Sequence, residues 1–291
     1  MNFTKSSRHF IIIIFTFLFF TSLLFAEDIS LRVMTFNVRL NVASDSSNAW
    51  PNRKDIAASM IRFHKADVIG LQEAFSEQVE DLANRLPEYG WFGIGRDDGK
   101  KAGEFMAVFY RTDRLQVLTD STFWLSETPE KPGLGWDAAC NRVVTLGKFK
   151  DKKSGKTFYL FNTHFDHKGE IARRESAKLL LKNVVKIGNN LPVIVTGDFN
   201  STPVSEPYKI LTMGVNGFKL IDSKSVSQYP HHGPTGTWTG FKSAYYPDAK
   251  PIDYIFIHNN VKVLLHGTLS DSFDGRFPTD HMPVLVEVII E

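Results

Sequence analysis

The sequence predicts an α/β chain in which two mixed β-sheets pack face to face with helices outside. Three observations carry this. Stretches of strand character alternate with stretches of helical spacing along the chain. Each half also holds hairpin-like strand pairs bounded by turn residues such as Asp-Gly and Asp-Arg. The run Leu191-Pro192-Val193-Ile194-Val195-Thr196 lacks two-residue alternation, which fits a strand covered on both faces. No fixed-period repeat argues for a solenoid.

Residues 31–38 alternate apolar and polar side chains before an apolar end, as a strand does, and Asn37 sits near that end. From Trp50-Pro51 to His64 the spacing turns helical, with Ile56, Met60 and Phe63 four and three apart and Pro51 suited to a first turn. A second strand, 66–73, runs apolar until it meets Gln72-Glu73. A helix over 76–86 opens on a serine cap and aligns Val79, Leu82 and Leu86. Strands are expected at 89–94, 104–111 and 115–124. A proline- and glycine-containing loop, 126–140, then carries Trp136-Asp137 into Asn141-Arg142, before strand 143–149. The charged turn 151–156 is assigned no function. Strand 157–164 ends in Asn162-Thr163-His164, followed at once by Asp166-His167. A helix over 171–187 turns Ala177, Leu180, Leu181, Val184 and Val185 to the core. After the strand that ends at Asp198 come a short helix, 205–213, and a loop, 223–251. Strands 252–257, 261–269 and 283–290 close the chain, with Pro278-Thr279-Asp280-His281 between the last two.

Residues 1–26 read as an export signal rather than as fold. Lys5 and Arg8 precede an apolar run from Ile11 to Phe20, and Ala26 offers a cleavage point, although Leu24 suits it poorly. The run is short for a bilayer span of roughly 20 residues, so a cleaved signal is favoured over an anchor, and a periplasmic or extracellular location is expected. One catalytic domain is expected over 27–291, and a monomer. The 34 lysines and arginines, less Lys5 and Arg8, balance the 32 acids, so charge alone does not suit the remainder to coating nucleic acid. Cys140 is the single cysteine, which rules out an internal disulfide and a thiolate metal cage.

The functional signal is the repeated appearance of polar groups where strands end. Each has a plain structural explanation: Asn37 as a turn cap, Glu73 as a helix cap, His164 as a satisfied core histidine, Gly197-Asp198-Phe199-Asn200 as a strand-capping turn. Together they form the inventory that metal-dependent phosphoester hydrolysis needs. Mg²⁺ takes oxygen ligands, few of them from protein, and Asn37 and Glu73 supply an amide and a carboxylate. Asp198 is suited to orienting a water, Asn200 to holding a phosphoryl oxygen, and His281 or His164 to meeting developing negative charge. Asp253 is the acid that would fix the tautomer of a histidine.

Taken in order, Thr-Phe-Asn37-Val-Arg, Gly-Leu-Gln-Glu73, Asn-Thr-His164-Phe-Asp-His, Gly-Asp198-Phe-Asn200, Ile-Asp253-Tyr-Ile and Asp280-His281 before Met-Pro-Val resemble the endonuclease/exonuclease/phosphatase (DNase-I-like) superfamily. The resemblance spans 29–290 and is nearest to exported or bacterial members that carry Trp-Asp-Ala-Ala followed by an arginine. It implies a four-layer α/β sandwich with the site at one edge of the sheets. It also implies Mg²⁺ or Mn²⁺ on Asn37 and Glu73, joined by Asp280. Asp198 would then orient the attacking water, Asn200 contact the phosphate, His281 stabilise phosphoryl oxygens, Asp253 hold a histidine, and His164 be catalytic.

Arg142 is a further candidate phosphate clamp, because a guanidinium grips two oxygens at once; a surface ion pair with Asp137 is the alternative. Trp136, Trp238 and Phe241 are expected to wall a closed pocket for a small polar phosphoester, which favours a small-molecule substrate. An apolar hairpin for a lipid substrate, at Trp124-Leu125 or 241–246, is less expected. A secreted DNase-like nuclease is the main alternative, although no Lys/Arg stripe with stacking aromatics stands out. A catalytically silent binding protein on the same fold, and a zinc hydrolase using His164 and His167, complete the alternatives.

Overall fold

The structure, a computed structural model, describes residues 28–188, 190–214, 217–242 and 248–291. The export signal expected over 1–26 lies outside the described residues, as does most of the 241–246 segment. Among the described residues no helix is long and apolar enough to cross a membrane.

Two six-stranded mixed sheets form the molecule. The first is built from β1 (Ile29–Asn37), β2 (Val68–Gln72), β3 (Tyr89–Phe92), β4 (Val108–Arg111), β11 (Val261–Thr268) and β12 (Val284–Ile290), in the spatial order β11-β12-β1-β2-β4-β3. The second holds β5 (Leu115–Trp124), β6 (Val143–Asp151), β7 (Thr157–His164), β8 (Val193–Asp198), β9 (Ile221–Asp222) and β10 (Asp253–His258), ordered β5-β6-β7-β8-β10-β9. Each sheet has a parallel pair at its centre, β1 with β2 and β7 with β8. Parallel neighbours need a crossover, and helices α1 (Lys54–His64) and α3 (Glu170–Gly188) supply it. Helices α2 (Ser76–Arg85) and α4 (Glu206–Met213) complete the outer layers.

Three buried clusters account for the four layers. Met34, Ile69 and Phe109 pack under Met60, Ile61 and Leu82 of α1 and α2. Val33, Val68, Leu160, Ile194, Ile255 and Val286 meet between the sheets. Phe161, Val195 and Phe256 pack under Ala177, Leu180 and Leu181 of α3. The strands flanking this middle layer are covered on both faces, which is why 193–196 reads as unbroken apolar sequence. One polar seam crosses the inter-sheet layer: Gln72 Nε2 donates to Thr35 Oγ1 at 3.1 Å and to Asn162 Oδ1 at 2.7 Å, and Thr196 Oγ1 donates to the same oxygen at 3.1 Å.

Several boundaries differ from the sequence reading. Trp50–Asn52 is a 3-10 turn, and α1 begins at Lys54. Its buried face is Ala57, Ala58, Met60 and Ile61, whereas Phe63 is 77% exposed. Val185 of α3 is likewise exposed, at the margin of the apolar stripe. The expected strand over 104–111 is regular only from Val108, because the preceding chain peels away to bring Glu104 to the Arg96 guanidinium, 2.6 Å away.

Candidate active site

The strand register gathers the polar groups. Asn37 lies opposite Gln72 in the β1–β2 pair, and Glu73 follows at once; His164 lies opposite Asp198 in the β7–β8 pair, and Asp253 opposite Asp198 in the β8–β10 pair. These are the carboxyl ends of the central parallel strands in both sheets, where α/β proteins habitually place ligands. Glu73 (φ 63°), Asn200 (φ 45°) and Arg39 (φ 58°) occupy left-handed backbone there. That costs on the order of 1 kcal/mol each and concentrates at functional sites.

A cleft of about 450 Å³ opens over these ends, lined by Glu73, Asp280, His281, Asp198, Asn200 and His164 with Arg39, Arg96, Glu104, Arg142, His167 and Trp238. At its floor one atom collects its neighbours. Asn37 Nδ2 donates to Glu73 Oε1 and to Asp198 Oδ2, both at 3.0 Å, and lies 3.4 Å from His281 Nε2. The amide is held from behind by the Arg39 N–H, which donates to Oδ1 at 3.0 Å. Asp198 accepts the Asn200 N–H at 2.9 Å, and Asn200 Nδ2 donates to the Phe165 carbonyl while facing His164 Nε2 at 3.0 Å. Behind the floor, Asp253 Oδ2 is 2.9 Å from His281 Nδ1.

The two histidines are driven in opposite directions. Burial alone would lower His281, but the Asp253 carboxylate, with Asp198 and Asp280, overcomes it and raises the ring to about 10. His164 is pushed well below its ordinary value by burial, with the Arg142 and Arg96 guanidiniums adding to the effect. One imidazolium and one neutral imidazole thus share the cleft. Because Asn200 Nδ2 is a donor, His164 Nε2 is the acceptor and its ring proton sits on Nδ1, which is buried without a hydrogen-bond partner and 3.9 Å from Glu104 Oε2. Burial and the neighbouring Asp253 raise Asp198 to about 7, and burial raises Asp280 and Glu104.

Two carboxylates converging on one amide NH2 group mark a place where a cation would compete for the same lone pairs. Ligand atoms of Glu73, His164 and Asp198 lie within 4.8 Å of one another, as do those of Asp198, Asp253 and His281. The carboxylates of Glu73 and Asp198 suit a hard divalent ion, whereas Asp280 belongs to neither group. Asn37 as an oxygen ligand requires its amide turned end for end, since Nδ2 now faces the carboxylates. His164 and His167 share no such group among the described residues, so they do not form a histidine pair for zinc.

The structure brings Asn37, Glu73, His164, Asp198, Asn200, Asp253, Asp280 and His281 together, with Arg142 and Trp238 on the walls. Trp238 is 56% exposed at the rim and pairs with His281 through a β-bridge. Two expected wall residues are elsewhere. Phe241, in left-handed backbone after Gly240, lies 5.3 Å from the Arg53 guanidinium. Trp136 is half-buried in the 126–140 loop, its backbone N–H on Glu127 at 3.2 Å. Neither lines the cleft. Arg142 does not pair with Asp137; its Nε faces Asp166 at 3.4 Å, while Asp137 accepts the N–H groups of Ile171 and Ala172 at the start of α3.

Sequence reasoning missed Arg96 and Glu104, and it missed Arg53. The Arg53 side chain, 1% exposed, donates to the carbonyls of Val38, Arg39, Asn48 and Pro278. A charge just ahead of an amphipathic helix reads as surface; only Trp50, 5.4 Å from the guanidinium, could have hinted at a buried cation.

Such a site on such a double sheet defines a hydrolase of phosphoester bonds. The endonuclease/exonuclease/phosphatase family model matches residues 34–281, and the chain belongs to that family. An endonuclease/exonuclease/phosphatase of Bacteroides vulgatus is 40% identical, with a TM-score of 0.86 over 90% of this chain and 100% of that one. A mannosyl-6-phosphatase of Bacteroides thetaiotaomicron is 38% identical, with a TM-score of 0.83 over 89% and 99%. Among curated relatives, mouse nocturnin is 24% identical over 69% of this chain and 51% of its own length. The Mycosarcoma maydis Ccr4 exoribonuclease subunit is 23% identical over 82% and 46%. The chain thus spans about half the length of these two. Members of the family hydrolyse phosphoester bonds and are generally divalent-metal dependent.

Proposed function

We propose that the chain is an exported Mg²⁺- or Mn²⁺-dependent phosphoesterase acting on a small polar phosphoester, a sugar phosphate above all. The observation that carries the reading is the meeting of Glu73, Asp198 and His281 within 3.4 Å of the Asn37 amide nitrogen. Asn37, Glu73 and Asp280 would hold the ion, which supplies Lewis-acid polarisation of the phosphoryl group. Asp198 orients the attacking water and accepts its proton as the oxygen bonds to phosphorus and the ester P–O bond breaks, the departing oxygen taking a proton from water in the open cleft to leave as the alcohol. Charged His281, held through Nδ1 by Asp253, presents Nε2–H to a phosphoryl oxygen, where negative charge gathers. Asn200 and neutral His164 flank the phosphate from the second sheet, Asn200 contacting it once its amide leaves His164 Nε2, Arg142 adds a guanidinium contact, and Trp238 offers a flat rim for the rest of the substrate. The mannosyl-6-phosphatase likeness and the balanced charge support a small substrate, and the basic-apolar-small pattern of residues 1–26 supports export.

The test is a screen with Mg²⁺ and Mn²⁺ against sugar phosphates, bis-p-nitrophenyl phosphate, sphingomyelin, RNA and plasmid DNA. Turnover of sugar phosphates is expected, with Asp198→Ala and His281→Ala each lowering it at least ~10²-fold. Undiminished activity in either variant would remove the assignment. Turnover of RNA or DNA alone would favour the nuclease reading that the exoribonuclease relatives suggest. Metal binding without turnover would favour a silent binding protein.

A further inference from the structure

The motif Asn162-Thr-His-Phe-Asp166-His167 contributes His164 to the chemistry above and leaves Asp166 and His167 unassigned. Both touch Arg142. The Arg142 side chain is 4% exposed; its Nε faces Asp166 Oδ2 at 3.4 Å, its Nη2 meets His167 Nδ1 at 3.0 Å, and its Nη1 is buried with no partner. Asp166 is itself immobilised, accepting the N–H groups of Ala139 at 3.1 Å, Lys168 at 2.9 Å and Gly169 at 2.7 Å. The guanidinium is thus fixed by a carboxylate that is fixed by backbone.

Arginine can only donate, so Nδ1 of His167 must be the acceptor in this contact. The neutral ring then carries its hydrogen on Nε2. His167 is exposed and lines the cleft with Arg142. On the same wall Arg96 Nε and His164 Nδ1 are also buried without partners. The cleft is therefore divided. One side, with Glu73, Asp198 and Asp280, is rich in acceptors; the other, with Arg96, Arg142, His164 and His167, is rich in donors, its one carboxylate, Glu104, being engaged by Arg96 at 2.6 Å and lying 3.9 Å from His164 Nδ1. Cys140 and Asp166 lie near enough to His167 to suggest a cation there, but Asp166 is saturated and the permanently charged Arg142 contacts both it and His167. That surrounding suits an anion.

We infer that the donor wall is built for the third unesterified oxygen of a terminal phosphate, with His167 the residue that makes the enzyme prefer phosphomonoesters to phosphodiesters. The inference rests on the phosphoesterase reading. A monoester offers three non-bridging oxygens, and one of them accepts from Arg142 and His167 Nε2–H. A diester puts carbon-substituted oxygen in that place and leaves the buried Arg142 guanidinium without an acceptor, the situation in which a polar site discriminates most strongly.

Kinetics on p-nitrophenyl phosphate and bis-p-nitrophenyl phosphate test this in the metal-loaded protein, with calorimetry of inorganic phosphate in EDTA as a readout free of turnover. His167→Asn keeps an acceptor for Arg142 and removes the Nε2 donor; His167→Ala removes both. For each, kcat/KM on the monoester should fall about tenfold with the diester unchanged, as expected for one hydrogen bond to a charged group. Phosphate should bind about tenfold more weakly. A parallel fall on both esters, or an unchanged ratio, overturns the inference. If the wild type hydrolyses neither these esters nor any phosphoester of the screen above, the phosphoesterase reading fails by itself, and phosphate binding decides: weaker binding in the variants keeps the anion wall, equal binding removes it.

Discussion

Asp253 Oδ2 and His281 Nδ1 stand 2.9 Å apart, with both side chains buried. This one contact keeps a cation in the floor of the cleft. His281 is raised to about 10 from an ordinary 6.5, so its contribution to stability is fully present below about pH 6.5 and is lost as pH rises through 10. Asp198, raised to about 7, titrates at the lower edge of the window from pH 7 to 10, and Arg53, lowered to about 10, at its upper edge, so the histidine is isolated by comparison with a variant that changes its partner alone. Asp253→Asn should bring the His281 titration down towards the ordinary range, read by NMR of the imidazole. Metal-free wild type should lose thermal stability from pH 7 to 10, and the variant should lose less. Identical pH profiles would mean the pair does not hold a proton.

The cation-binding side makes a separate prediction. Glu73 accepts the Asn37 amide at 3.0 Å and the Leu40 N–H at 3.1 Å, and it is the half-buried carboxylate nearest the convergence point. Glu73→Gln keeps the shape and removes the charge. Mg²⁺ affinity by calorimetry should fall at least about tenfold, since losing even an outer-sphere partner costs 10–100-fold. Chelation by EDTA should abolish turnover in the wild type, and Mg²⁺ should restore it. Unaltered affinity in the variant would place the ion elsewhere.

Much of this was legible in the sequence because the chain uses one device repeatedly: an apolar strand run stopped by a polar residue. Asn37, Glu73, His164 and Asp198 each announce themselves in that way, and parallel register then aligns them. Glu104 does not, because it lies inside what reads as a strand, and its relation to Arg96 and His164 exists only after the chain peels away from β4. The helical misses are smaller. Successive residues differ by about 100° around a helix, so a stripe drawn one position off puts Phe63 inside when it is outside. Trp136 and Phe241 show the limit of composition: an aromatic near a site in sequence has no stated direction, and neither of these lines the cleft.

Arg53 supplies the third prediction. Its guanidinium joins the end of β1, through Val38, to the turn before Asp280-His281, through Pro278, with 2.7 Å to each carbonyl. Burial lowers it to about 10, yet it stays charged at neutral pH. Arg53→Lys retains a charge but cannot reach four carbonyls in a plane. With two or more buried acceptors unpaired, stability should fall by about 2–4 kcal/mol in urea titration. Because the same link sets Asp280 against Asn37, Mg²⁺ affinity should weaken in the fraction that remains folded. A variant as stable as wild type would show that the carbonyls find other donors.

The last prediction concerns the seam that holds the two sheets in register. A Cβ added at Gly70 would lie 2.2 Å from Thr196 Oγ1 and 2.4 Å from Asn162 Oδ1. Both atoms belong to the buried polar network through which Gln72 of the first sheet meets Asn162 and Thr196 of the second. A methyl group there must either push the sheets apart or break hydrogen bonds that have no water to replace them. Gly70→Ala should therefore cost about 2–4 kcal/mol, overpacking and lost polar pairing together, even though alanine is ordinarily the milder residue in a strand. Since Glu73 and Asp198 hang from the ends of the strands that this seam ties, activity per folded molecule should fall as well. Asn162→Ala in the Gly70→Ala background supplies the control: by removing one of the two struck atoms it should recover part of the stability, giving a non-additive cycle. Full additivity of the two substitutions would show that the sheets accommodate the methyl without using this seam.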